Sequence, residues 1–80
     1  MKYRSKEIII EATQLNNFNN LPNGVFTQYL ADGSYQYYVI TIHEQKIYVS
    51  RGDWIITEPD GIHHYPCKPD IFEKRYELIK

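Results

Sequence analysis

Apolar and polar positions along this chain alternate mostly with a period of two, the spacing of a half-buried strand rather than a helix. Residues 3–15 read as a strand, with Ile8, Ile10 and Ala12 on one face and Ile9, Glu11 and Thr13 on the other. Its three consecutive isoleucines are β-branched and favour extended geometry. Residues 16–24 contain five Asn, one Pro and one Gly and are predicted as a loop, with a weak helical signal around 18–21. A second strand is expected at 25–30. Asp32-Gly33 then supplies a pair that tight hairpin turns favour, since Gly takes positive φ at no steric cost.

Residues 35–42 carry the longest strand signal. Tyr35, Tyr37, Val39 and Thr41 share one face; Gln36, Tyr38, Ile40 and Ile42 share the other. Bulky residues on both faces predict a central strand covered on both sides. His43-Glu44-Gln45 forms a polar tip, and the chain returns as a strand at 46–50 with Ile47 and Val49 on one face. Arg51-Gly52-Asp53 is a predicted turn. A short strand follows at 54–57, with Trp54 and Ile56 on one face and Ile55 on the other. Pro59-Asp60-Gly61 is strong turn chemistry, because Pro presets φ, Asp bonds its own backbone and Gly permits positive φ. Residues 62–65 are expected to pair back. Pro69 opens a helical turn in which Asp70 and Glu73 have capping-box spacing, and Phe72 and Tyr76 meet four residues apart. Residues 76–79 read as a terminal strand.

The expected fold is mainly β with some α: six to seven short strands in a small, strongly bent antiparallel sheet or partly closed barrel, plus one or two helical turns. Phe72 is the natural lid for the open sheet face. Eighty residues make one domain, residues 1–80, near the lower limit for a self-sufficient core.

Composition narrows the function. Aromatic residues make up 15% of the chain, too many for a disordered segment. Nine basic and ten acidic residues leave a net charge of -1, which is no footprint for phosphate-driven nucleic-acid binding. No apolar run approaches the ~18 residues of a membrane span, and the N-terminal apolar block Ile8-Ile9-Ile10 is too short for a signal peptide. The single Cys excludes an internal disulfide framework. Together these features favour a cytoplasmic protein. Eight Tyr against three Phe and one Trp suit both the margin of a small core and a contact surface.

The segment Val49-Ser50-Arg51-Gly52-Asp53-Trp54-Ile55-Ile56, then Gly61, then Tyr65-Pro66-Cys67-Lys68-Pro69-Asp70-Ile71-Phe72-Glu73 and Tyr76, resembles a family of small proteins encoded by bacteriophages and prophages. Lys2-Tyr3-Arg4-Ser5-Lys6 followed by Ile9, Glu11 and Ala12 is similar to that family's N-terminus. Members of the family usually carry a Glu-containing stretch where this chain has Ile62-His63-His64. The resemblance covers roughly the first 12 residues and residues 49–79. It implies a phage or prophage origin and a shared fold, and it transfers no catalytic residues. On this reading Gly52, Asp53, Trp54, Gly61, Tyr65, Pro66, Cys67, Pro69, Asp70, Phe72 and Tyr76 form a structural motif.

His63, His64 and Cys67 are residue types that bind zinc. Adjacent strand residues point to opposite faces, so the two His cannot share one ion, and four strand steps separate His63 from Cys67 by ~13 Å. No metal or cofactor is therefore expected, and Cys67 reads as a small buried apolar residue. A Cys67 nucleophile would need a lowered pKa, an oxyanion hole and an orienting group, a demanding set for so small a chain. Asp53, Glu58 and Asp60 lie on neighbouring turns without acid–base spacing. The function expected is a non-catalytic interaction protein that docks to a host or phage protein, with self-pairing through a sheet edge permitted. The alternative is a small-ligand binder in which Tyr and Trp faces stack a nucleotide-like base and Arg51, Lys46 or Lys68 holds a phosphate. A Cys-dependent enzyme stands third.

Overall fold

The computed structural model describes residues 9–76. Six strands and one helix follow in order: β1 (Ala12–Gln14), β2 (Phe26–Tyr29), β3 (Tyr35–Ile40), β4 (Lys46–Val49), β5 (Trp54–Thr57), β6 (His64–Cys67) and α1 (Pro69–Arg75). The expected mainly β, antiparallel character holds. The strands divide into two three-stranded sheets, β1-β5-β6 and β2-β3-β4, in which every pairing is antiparallel. Among the described residues they close no barrel. The expected first strand is realised only as β1, its earlier part falling largely outside the described residues, and the terminal strand at 76–79 lies outside them beyond Tyr76.

The chain passes between the sheets twice. The first passage is the Asn-rich loop, which forms turns and no helix: Asn20 N–H donates to the Asn17 carbonyl, and Asn17 Oδ1 accepts from Asn19 N–H. Phe18 pins it by stacking on Tyr37, with centroids 4.5 Å apart and planes 12° apart. The second passage is the turn Ser50 to Asp53, where Gly52 adopts φ 95° and Asp53 N–H donates to the Ser50 carbonyl. Leu15 locks the two passages together. Its N–H donates to the Asp53 carbonyl, its carbonyl accepts from Gly52 N–H, and its side chain is fully buried.

The core lies between the sheets. Leu15, Val39, Val49 and Ile55 form one cluster, with Leu21, Val25, Tyr37 and Ile47 packed against it. Ile55 enters from the first sheet, Val39 and Val49 from the second. Burying such a side chain is worth about 1.5–3 kcal/mol relative to leaving it exposed. Trp54 and Ile56 do share the opposite face of β5, and Ile56 is also fully buried, so β5 is covered on both sides.

Three expectations need correction. The β3 strand is central in its sheet, but only the Tyr37 and Val39 face meets the core; on the other face Tyr38 and Ile40 are half-buried and Ile42 is exposed. Phe72, the expected lid over an open sheet face and plug of the core, stacks on Trp54 on the outer face of the first sheet but plugs no core, since α1 has no buried residue and Phe72 itself is half-buried. No capping box forms, because Pro69 starts the helix one residue earlier and leaves Lys68 as the N-cap, with no side-chain cap bond. Asp70 therefore sits inside the first turn.

Candidate functional site

Most of the residues singled out by sequence converge on one corner, where their bonds are structural, while Gly61 lies at the other end of the β5–β6 hairpin. Asp53 is 3% exposed; its carboxylate accepts from Ser50 N–H at 3.0 Å and from Lys68 Nζ at 3.0 and 3.2 Å. It thereby closes the β4–β5 turn and ties that turn to the end of β6. Gly52 in the same turn faces the Pro69 ring. Trp54 stacks on Phe72 with centroids 4.1 Å apart and planes 6° apart, and Phe72 meets Tyr76 at 5.0 Å. Tyr65, on the same outer face, has its pKa pushed up to about 12, first by burial and then by the neighbouring Tyr76 hydroxyl. Gly61 takes φ 73° in the β5–β6 turn, and Pro66 pairs with Ile55 on the core side of β6.

The His, Cys and carboxylate groups go separate ways. His64 is 5% exposed and faces the core, against the backbone of Gly24, while Cys67, an odd number of residues away, faces outward beside Trp54 and is half-buried rather than buried. His63 turns to Asp60, whose carboxylate also accepts the N–H groups of Ile62 and His63. Those bonds, led by the His63 N–H, hold the Asp60 pKa down at about 2. Glu58 accepts from Ile42 N–H. Asp53, Glu58 and Asp60 each serve a different turn, and no group of three His, Cys, Asp or Glu converges on a metal position among the described residues.

The surface with chemistry left to use is the outer face of β2-β3-β4. Pairing aligns Phe26 with Tyr38 and Tyr38 with Tyr48, so three rings form one row across three strands. Their centroids are 5.5 and 6.3 Å apart, stacked in the first pair and edge-on in the second. Phe26 and Tyr48 are each 50% exposed. Polar groups fix the row in place: Tyr48 Oη donates to Gln28 Oε1 at 3.0 Å, and Lys46 Nζ lies 4.5 Å from the Tyr38 ring centre. Sequence reasoning missed this row. The face assignment of β3 separates Tyr38 from Tyr37 and Val39, but only the two strand registers bring Phe26 and Tyr48 beside it.

A second feature lies at the edge of β4, an open hollow of about 440 Å³ lined by Phe18, Tyr35, Tyr37, Tyr48, Ser50 and Arg51. The Arg51 guanidinium is 5.4 Å from the Phe18 ring centre. Lys68, by contrast, is committed to Asp53, and Lys46 to Tyr38 and Gln28, so the three cations named as phosphate ligands do not meet.

Comparison of the chain with protein-family models, with curated proteins and with solved structures found no match. No helix among the described residues is long and apolar enough to cross a membrane.

Proposed function

We propose that the protein is a non-catalytic docking module of phage or prophage origin that holds a host or phage protein on the outer face of β2-β3-β4. The observation that carries this reading is the row Phe26, Tyr38, Tyr48, two of whose rings are half-exposed on a rigid three-stranded support. Exposed aromatics on regular elements present large contact area with little conformational entropy to lose, which is why Tyr and Phe are enriched at interfaces. Among the described residues Lys46 is the charged side chain that lies over the row, a poor match for a phosphate backbone and a good one for a mostly neutral protein surface. The test is affinity capture from host extract with the wild type and with Phe26→Ser/Tyr48→Ser, both checked for native circular dichroism. A partner retained by the wild type and lost by the variant is the expected result. Identical capture by both proteins would refute the reading.

The hollow beside Arg51 supports a second reading, a small planar anion stacked on Tyr35 or Tyr48 with its charge on Arg51. Thermal-shift measurements with nucleotides separate the two: stabilisation should grow with ligand concentration and vanish in Arg51→Ala if this site binds. Neither imidazole of β6 and its turn is directed to Cys67, so a Cys-dependent reaction is not proposed.

A further inference from the structure

We infer that β2 is a self-pairing edge, through which two copies of this chain join antiparallel about a twofold axis into one six-stranded sheet. Two hairpin closures establish which backbone groups of the second sheet point outward. Thr41 N–H donates to the Gln45 carbonyl, so by alternation Val39 and Tyr37 bond toward β4. Leu30 N–H donates to the Ser34 carbonyl, so Gln28 with Gln36 and Phe26 with Tyr38 bond within the β2–β3 pair. Thr27 and Tyr29 are then left with N–H and C=O groups directed away from β3, and no bond to them occurs among the described residues.

The other edges carry obstacles to pairing. Pro66 removes a donor from β6, Lys46 places a charge on β4, and β1 spans three residues with Glu11 next in its ladder. Phe26-Thr27-Gln28-Tyr29 has no charge and no Pro. A second copy fits it because the strand is neutral and complementary to itself. With Gln28 on the axis, Thr27 of each copy exchanges both backbone bonds with Tyr29 of the other. Phe26 then faces the partner's Leu30, and Tyr29 faces the partner's Thr27. This covers two exposed rings, Tyr29 being 75% exposed and Phe26 50%. The nearest acid, Asp32, falls opposite the partner's Gly24, so no like charges meet.

The surface is the strand edge, which shares Phe26 with the aromatic face and leaves Tyr38 and Tyr48 outside it, and the inference stands whether or not that face docks a partner. The test is sedimentation equilibrium of the full chain up to ~1 mM, the range small interfaces occupy, with amide exchange followed residue by residue. The expected result is a reversible dimer in which the Thr27 and Tyr29 amides gain protection with concentration while Phe26 and Gln28 do not change. Thr27→Pro removes one outward donor from each copy and should weaken dimerisation roughly thirtyfold. Gln28→Glu keeps its bonds to Tyr48 and Lys46 within one copy but sets two carboxylates on the axis, so its dimer should weaken at neutral pH and recover when they are protonated. A strict monomer overturns the inference, as does a dimer that ignores both variants. A monomeric chain that adds a foreign extended peptide at β2 overturns the choice of a second copy.

Discussion

Gly24 offers the sharpest test of how the two sheets are held together. It has φ 92°, and a Cβ built on it would lie 2.2 Å from His64 Nδ1, 2.4 Å from Cγ and 2.5 Å from Cε1. The clash is with the ring itself, and His64 is only 5% exposed, so the ring has little room to move. Gly33 is an internal control: its φ is 88°, and nothing lies within 4 Å of its Cβ position. Gly33→Ala should therefore show the left-handed backbone cost alone, about 1–2 kcal/mol. Gly24→Ala adds overpacking of about 1–3 kcal/mol, for a total of roughly 2–5 kcal/mol, a large share of what stabilises a small domain. Urea unfolding followed by the fluorescence of the only Trp and by far-ultraviolet circular dichroism reads both costs. Adding His64→Ala to Gly24→Ala should recover part of the loss, with a coupling of about 1–3 kcal/mol. Equal destabilisation by Gly24→Ala and Gly33→Ala, or strict additivity in the double variant, would refute the packing of the Asn-rich loop on β6.

Four further outcomes follow from the same geometry. Phe72→Ala should cost about 1–3 kcal/mol, half of a full burial term plus the stacking on Trp54, and should shift Trp emission in the folded state; an unchanged urea midpoint would remove α1 from the stabilising contacts. Glu44 takes φ 60° at the tip where Gly33 sits in the preceding hairpin, so Glu44→Gly should stabilise, or at worst be neutral, by up to about 1 kcal/mol in chemical unfolding. Asp60 has a folded pKa of about 2, below its ordinary 3.8, so its contribution to the β5–β6 turn is complete above the ordinary value and is lost as pH falls toward 2; His63 amide shifts should track that loss, and Asp60→Asn should abolish the titration. Tyr65 has a folded pKa of about 12 against 10.0, so its contribution is present below 10 and lost as pH rises toward 12; ultraviolet titration should show a late phenol that Tyr65→Phe removes.

What sequence reading reached and what it missed divide along a physical line. Local chemistry was legible. The faces of β5 follow from period-two alternation, and Asp32-Gly33 lies at a turn, although the connection has three residues, Ala31 to Gly33, with Gly33 N–H donating to the Leu30 carbonyl. The Asn-rich loop follows from residues that bond their own backbone. The errors lie where a distant contact decides the outcome. Whether the Tyr38 face of β3 is covered depends on which face receives Ile55 and Leu15 from the other sheet, and no spacing within residues 35–42 carries that information. Phe18 looked like part of a loop and is its anchor, because its partner Tyr37 lies nineteen residues on. The capping box failed for a local reason that could have been weighed: Pro at the first helical position competes with an Asp cap for the start of the helix.

The site was less legible than the fold, and the cause is general to docking surfaces. Metal and nucleophile sites draw on a few residue types, so His63, His64 and Cys67 attracted notice, and strand alternation was enough to set them apart. A docking face draws on the residues that also build cores. Phe26, Tyr38 and Tyr48 lie 10 to 22 positions apart, and only two strand registers bring them into a row. What marks the row as a surface is that no third layer lies above it among the described residues, a property of their division between two sheets rather than of any segment. Among the described residues, β2 likewise has no neighbour on its outer side. Face and edge can nevertheless be separated by experiment. Phe26→Ser/Tyr48→Ser should abolish partner capture while the concentration-dependent protection of the Thr27 and Tyr29 amides persists, weakened only by the contact of Phe26 with Leu30 of the second copy. Thr27→Pro should do the reverse, and loss of both properties in either variant would mean that one surface serves both.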